Sequence, residues 1–212
     1  MPGRRDPTTT KQRLLQAVFR VSHREGFRSA DLKAILARAG VTKGALYHHF
    51  VGKTQLGHEM VDQVLRDWIL DRWLHPVEKA SDPIDALIEL ARRAEQEVTQ
   101  QRLALGCPLN NLSQEMSSID EGFRQRISSI YQEWREGLRV LLERGQRNGT
   151  VREDVDALSA ATFIVASWEG SIGLAKCELS TDVLSACRLG IERYLGTLRP
   201  PQAPTVPGGG EG

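Results

Sequence analysis

Residues 42–53 gather side chains that can hydrogen-bond to the edges of nucleic-acid bases and to phosphate oxygens. A hydroxyl, an ammonium, a phenol and an imidazole occur at positions that can share the start and one face of a helix. Gly44 has no side chain, so a duplex can approach the backbone there closely. Thr42, Lys43, Gly44, Tyr47 and His48 are the candidates for contact with base edges, and Lys53 is the candidate for contact with phosphate.

The element that must position these residues is a helix-turn-helix. Apolar spacing predicts a helix over residues 31–38 and a second helix over residues 41–49, joined by a turn at Ala39 and Gly40. Because the chain leaves the first helix sharply at Gly40, we expect a positive φ there. Val41 is expected to pack between the two helices. A longer helix that ends near Glu25 precedes the pair and completes a three-helix unit.

The charges are segregated along the chain. Its 212 residues contain 28 Lys and Arg against 27 Asp and Glu, a formal net charge of +1. Residues 1–53 hold 11 basic and three acidic residues, and the remaining residues hold 17 and 24. A basic head of +8 therefore precedes an acidic body of −7. The near-neutral total does not exclude a nucleic-acid partner.

The rest of the chain also has helical periodicity, and strand-like alternation is hard to find. The expected fold class is all-α with about nine helices: an N-terminal three-helix helix-turn-helix domain over residues 1–53 and a helical body over residues 54–199. Further helices are predicted over residues 53–73, 83–101, a short stretch ending at Met116, 120–148, 154–177 and 180–198. Residues 200–212 are rich in Pro and Gly and are expected to be disordered.

Several function classes find no support in the sequence. Three cysteines without a Cys-x-x-Cys pair indicate neither a disulfide framework nor a zinc site, so no metal or cofactor is expected. A Ser-His-Asp arrangement or a carboxylate pair does not stand out, so we do not expect an enzyme. We find no apolar run approaching about 18 residues and no signal-peptide core, and therefore expect a cytoplasmic protein without a membrane partner.

The head resembles the TetR/AcrR family of transcriptional regulators. The resemblance rests on Leu14-Leu15-x-Ala17, Gly26-Phe27, Ile35-Leu36-Ala37-x-Ala39, the run from Gly40 to Phe50, and Lys53-x-x-Leu56. It implies a DNA-binding head, a ligand-binding and dimerisation body, and a homodimer on a near-palindromic operator in double-stranded DNA. By position in the motif it assigns DNA-facing roles to Thr42, Lys43, Gly44, Tyr47, His48 and His49, and a phosphate contact to Lys53.

One departure from the family pattern concerns the start of the second helix. Family members usually place Ser or Thr there, whereas this chain has Ala30 and Asp31. A carboxylate beside phosphate would be repelled, so we expect Asp31 to be a helix N-cap. The contacts to DNA would then come from Arg28, Ser29 or Lys33.

The resemblance also implies a cavity for a small-molecule effector among the body helices. The alternative is that large apolar residues at helical spacing simply form the core. The candidate lining residues are Trp68, Leu103, Cys107, Asn110, Met116, Ile127, Tyr131, Trp134, Phe163 and Trp168.

Cys107 lies at a predicted helix start, where the helix dipole favours a thiolate. A nearby ammonium, for which Lys176 is the candidate, would lower the pKa of the thiol further. The hypothesis is a sensor of electrophiles or oxidants, and the alternative is an inert buried cysteine.

The last two helices interleave apolar and small residues, which allows close approach of helices from a second copy. A four-helix dimer interface is expected, with packing within one chain as the alternative. These features together predict a dimeric, ligand-responsive transcriptional repressor, released by a small, mainly apolar or electrophilic effector. The rival hypothesis is an all-helical carrier or enzyme with a vestigial head. Activation rather than repression is a third possibility, because the sign of regulation depends on where the operator lies relative to the promoter.

Overall fold

The computed structural model describes residues 7–201, which form helices and turns with no strand among them. Residues 202–212 of the predicted disordered tail lie outside the described residues. The helices are α1 (Pro7–Glu25), α2 (Leu32–Ala39), α3 (Lys43–His49), α4 (Lys53–Met60, continued by the π-helical turn Val61–Leu65 and by Arg66–Trp73), α5 (Pro83–Gln96), α6 (Gln100–Leu105), α7 (Pro108–Met116), α8 (Glu121–Arg147), α9 (Ala157–Glu178) and α10 (Thr181–Thr197). Within the described range, nine have seven or more residues, which confirms the expected all-α fold, and the six-residue α6 is additional.

The helix predicted over residues 83–101 is in fact two helices. Helix α5 ends at Gln96, and Thr99 adopts an extended backbone at the N-cap of α6. The Thr99 hydroxyl accepts a hydrogen bond from the backbone N–H of Arg102 at 3.2 Å. The apolar spacing continues through both helices. They are separate because Thr99 caps the start of a new helix.

The head is built as the sequence predicts. Gly40 has φ of 62° and ends α2, and the backbone N–H of Val41 donates to the carbonyl oxygen of Leu36. Leu46 on α3 and Ile35 on α2 are fully buried against Leu14 of α1. The left-handed turn thus directs α3 across the other two helices, with its remaining residues outward.

Helix α4 joins the head to the body at Gly57. A Cβ atom at Gly57 would lie 2.4 Å from the ring of Phe27 in the head and 2.7 Å from the ring of Phe123 in the body. The two rings meet over this glycine with their centroids 4.7 Å apart. The missing side chain therefore allows the two domains to share one aromatic contact.

The body packs around α8 and α9. Trp134, Leu138 and Leu142 on α8 are buried in the main apolar cluster together with residues of α4, α5 and α10. Among the described helices, α9 is long and apolar enough to cross a membrane by length and composition alone, with a mean hydropathy of 1.2. This finding differs from the expectation that no apolar run approaches about 18 residues. A buried core helix can have the same length and apolar composition. Helix α9 carries the buried carboxyl of Glu169.

Substitution of Gly57 by alanine is expected to destabilise the protein by about 1–3 kcal/mol, because the methyl group would displace two packed rings. Alanine at an open helical position usually stabilises by up to about 1 kcal/mol. Gly44→Ala is the matched control for stability, since a Cβ there meets only the Thr42 hydroxyl at 3.9 Å. Urea unfolding followed by circular dichroism compares the two variants, and equal stability of both would contradict the packing role of Gly57.

Candidate functional site

Helix α3 presents an exposed polar surface, which we call the recognition surface: Thr42, Lys43, Gly44, Tyr47 and His48. Thr42 is the N-cap, and its hydroxyl accepts from the backbone N–H of Ala45 at 3.2 Å. The Lys43 ammonium lies 5.8 Å from the ring centroid of Tyr47, whose side chain is about half exposed. The five residues that sequence reasoning selected for base contacts therefore lie together at the start and on one side of this helix.

His49 lies at the edge of this surface. It is half-buried, and its ring centroid is 5.1 Å from that of His48 and 6.3 Å from that of Phe50. Adjacent residues on a helix point in different directions. His49 is accordingly less available to a duplex than His48.

The other three candidates for contact with DNA lie at the start of α2. Arg28 and Ser29 in the turn before α2 and Lys33 in its first turn are all exposed. Asp31 occupies the N-cap position with an extended backbone, but its side chain makes no capping hydrogen bond. The expected position of Asp31 is therefore correct, and the expected side-chain cap is absent.

Lys53 at the start of α4 has a structural partner within the head. Its ammonium donates to the carbonyl oxygen of Arg28 at 3.0 Å and lies 5.0 Å from the ring centroid of Phe27. Burial lowers the pKa of Lys53, while Glu115 and Asp31 oppose this. An ammonium has three donors, so Lys53 can hold Arg28 and still meet a phosphate.

Two contacts between the body and the head were not anticipated from the sequence. The carboxylate of Glu115 on α7 accepts from the backbone N–H groups of Phe27 and Arg28, both at 2.8 Å. The His23 ring on α1 is hydrogen-bonded through Nε2 to the carbonyl oxygen of Gly106 at 3.0 Å. The partners are more than 80 residues apart, so no local pattern reveals them.

The body contains a cavity of about 280 Å³ between α4, α5, α6, α9 and α10. Four of the ten predicted lining residues are in its wall, namely Trp68, Leu103, Cys107 and Trp168. Sequence reasoning missed the titratable groups of the wall, which are His23 of α1, Arg72, Glu95, Arg102 and Arg188. This cavity is the candidate effector site.

The other six predicted residues are placed elsewhere. Asn110 lines a separate, half-open space of about 540 Å³ between α1 and α7, and Trp134 lines a void of about 30 Å³. Met116 and Ile127 are buried in the core, and Tyr131 packs partly buried against it. Phe163 is half exposed on the outer face of α9, with its ring 4.4 Å from that of Tyr194.

Cys107 has an environment opposite to that of a reactive thiolate. Its thiol is buried and donates to Oε1 of Glu169 at 3.2 Å. Burial and this carboxylate raise the pKa of Cys107 well above its usual range. The Lys176 ammonium instead donates to the side-chain oxygen of Asn111 at 3.0 Å. The structure therefore contradicts the predicted activation of this thiol by Lys176.

Comparison with known proteins matches two segments of the chain to family profiles. Residues 14–60 match the profile described as bacterial regulatory proteins, tetR family, and residues 83–189 match the tetracyclin repressor-like C-terminal domain. The second match alone spans half of the chain. The protein belongs to the TetR family. As a TetR-family member, it is a ligand-responsive transcriptional regulator.

Individual relatives of this TetR-family chain match over most of their length. Transcriptional regulator AcuR of Cereibacter sphaeroides is 28% identical over 86% of this chain and 83% of its own length. The transcriptional repressor DhaR of a Mycobacterium species is 27% identical over 84% and 87%. A solved TetR regulatory protein from Rhodobacter sphaeroides has a TM-score of 0.75, with 26% identity over 86% of this chain and 97% of that one. These TetR-family relatives are regulators, which are not enzymes.

His23 is expected to make the stability of this TetR-family protein depend on pH. Burial lowers the pKa of His23 from its ordinary value of 6.5. Below pH 6.5 the unfolded chain therefore takes up a proton that the folded chain resists, so the free energy of unfolding falls as the pH falls. His23→Gln keeps an N–H donor for Gly106 and removes the titration.

Thermal unfolding between pH 7.5 and pH 5.5 is the measurement for His23. The melting temperature of His23→Gln is expected to fall less than that of the wild type over this interval. His48→Gln, at an exposed position on α3, is the control, and its melting temperature should fall more than that of His23→Gln over the same interval. Identical pH dependence of the wild type and His23→Gln would show that the prediction is wrong.

Proposed function

We propose that the protein is a dimeric repressor that binds a near-palindromic operator and is released by a small-molecule effector bound in the cavity of the body. The observation that carries this proposal is the recognition surface, because five exposed donor or backbone positions lie together on a head of charge +8. Relatives named as repressors, DhaR and KstR2, support the sign of regulation. In a dimer, the two α3 helices would enter successive major grooves about 34 Å apart.

The rival function, a carrier or enzyme with a vestigial head, is disfavoured by the same surface. A head that no longer met DNA would have no reason to keep Lys43, Tyr47 and His48 exposed or to retain its positive charge. Phosphate and base contacts give these features a use. As a regulator that acts on DNA, the protein is proposed to be cytoplasmic.

Release of the operator requires that the effector bind more tightly to the protein when its head has one orientation than when it has another. Gly106 and Cys107 in the cavity wall lead directly into α7, which carries Glu115 to the head. Helix α4 contributes Trp68 to the same wall and carries Lys53 at its other end. A shift in population from 1:99 to 99:1 needs about 5.5 kcal/mol of differential binding. The effector is proposed to change the orientation of the head by moving α4 and α7 together.

The outer faces of α9 and α10 are the proposed dimer interface. They expose Phe163, Leu174 and Leu189, and a Cβ at Gly170 or Gly173 would meet no atom within 4 Å. Small residues allow helices of a second copy to approach closely, and the apolar side chains would be buried between them.

The DNA-binding proposal is tested by salt titration on DNA from beside the gene. A dimer that neutralises about eight phosphates should give a slope of log K against log salt near −7. Lys33→Gln, which removes an expected phosphate contact from each subunit, should reduce the magnitude of the slope by roughly 2. Lys43→Gln, at an expected base contact, should weaken binding.

Lys79→Gln, which removes an exposed charge from the body, is the control for Lys33→Gln. The slope measured for Lys79→Gln should equal that of the wild type. A wild-type affinity that is independent of salt would refute the proposal.

The dimer is tested at micromolar concentration by light scattering. Leu174→Glu should yield a monomer, because a charge would be buried at the centre of an apolar contact. Ile119→Glu is the matched control, since Ile119 is exposed to the same extent, 54% against 55%, but lies outside α9 and α10. A wild-type monomer, or equal behaviour of the two variants, would contradict the proposed interface.

A further inference from the structure

The charged side chains of the 280 Å³ cavity are unevenly paired. Arg188 is fully engaged, because its guanidinium is hydrogen-bonded to both Glu95 and Glu192. Glu192 also accepts from Arg92 at 3.0 Å. This side of the cavity is therefore balanced by a network of two arginines and two carboxylates.

A second pair of arginines in the wall has an excess of positive charge. Arg72 and Arg102 share a single carboxylate, Glu97, at N–O distances of 3.5 Å and 3.9 Å. Glu97 itself is not in the cavity wall, whereas both arginines are. Arg102 also donates one N–H to the backbone carbonyl oxygen of Glu97 at 3.1 Å. Each guanidinium has five N–H donors, so the pair still has donors for another anion.

Arg72 is held in a position suited to a ligand. Its guanidinium lies 5.1 Å from the ring centroid of Trp73 and 5.9 Å from that of Trp68. Burial lowers the pKa of Arg72, and Arg102 acts in the same direction. A guanidinium fixed on aromatic rings and partly removed from water gains from an added negative charge.

Other parts of the wall favour the uncharged part of a ligand. Leu103, Cys107 and Trp168 supply apolar or uncharged side chains there. Behind Cys107 lies the buried carboxyl of Glu169, and the described part of the chain forms no salt bridge to it. A ligand anion placed near Glu169 would be repelled whenever Glu169 is ionised. The charge of a ligand is therefore directed to the arginine side.

We propose that the effector is a small apolar carboxylate, with its carboxylate between Arg72 and Arg102 and its hydrocarbon part against Leu103, Cys107 and Trp168. The inference rests on the proposed function, because it takes this cavity as the effector site. The cavity volume is at the lower limit of ordinary ligand pockets, which selects a single ring or a short chain.

Matched acids and amides test the sign of the ligand charge. Phenylacetate with phenylacetamide, and hexanoate with hexanamide, differ in charge but little in shape. Binding to the wild type is measured by calorimetry and by quenching of tryptophan fluorescence. Each carboxylate should bind at least about tenfold more tightly than its amide, since hydrogen bonds to charged groups are the strong ones. Added salt should weaken binding of the carboxylates only.

Variants of the arginines assign the site. Arg72→Gln and Arg102→Gln should each weaken carboxylate binding about tenfold and change amide binding by less than about twofold. Arg93→Gln removes the same charge from an exposed position on α5 outside the wall and should have no effect. Arg102 is the more exposed of the pair, so Arg102→Gln decides the matter if Arg72→Gln does not fold.

The proposal is overturned if no carboxylate binds more tightly than its amide, or if both arginine variants weaken acid and amide equally. Operator binding by the ligand-free protein is measured separately. Loss of operator binding with intact carboxylate selectivity would refute the proposed function and leave this inference standing. Operator binding without carboxylate selectivity would refute this inference and leave the proposed function standing.

Discussion

One carboxylate of the body fixes the turn between α1 and α2 of the head. Glu115 accepts two backbone hydrogen bonds from the turn between α1 and α2, and Lys53 holds the carbonyl oxygen of Arg28 in the same turn. Charge-assisted bonds to fixed amides are strong and directional, so this turn cannot rotate without breaking them. Arg28, one of the two donors, and Ser29 beside it are exposed. The backbone of this turn is thus held by a side chain from outside the head.

The same carboxylate links the head to the cavity. Helix α7 begins beside Cys107 in the cavity wall and ends just after Glu115, so it is a rigid connection of nine residues. His23 adds a second connection through Gly106. Under the proposed function, a ligand that displaces the wall would act on a short, stiff element with contacts at both ends. Coupling by direct packing of this kind needs no long chain of intermediates.

The head could be predicted from the sequence because its determinants are local. Gly40 needs a positive φ and Thr42 caps α3 within three residues, and both act through neighbouring backbone. The cavity could be predicted only in part. Helix α9 is apolar on both sides, since Trp168 faces the body while Phe163 faces outward, and its pattern alone does not separate the two. Cys107 was misjudged because the partner that controls its thiol, Glu169, is 62 residues away.

The π-helical turn Val61–Leu65 determines how far the second half of α4 is rotated about the helix axis relative to the first half. Such a turn accommodates one residue more than an α-helical turn, so the helix resumes about 100° out of step with its first half. Gly57 faces the head in one phase, and Trp68 and Arg72 face the cavity in the other. Deletion of a single residue from this turn would leave both halves of α4 helical. It would rotate Trp68 and Arg72 away from the cavity. The length of α4, counted in residues, is therefore as constrained as its composition.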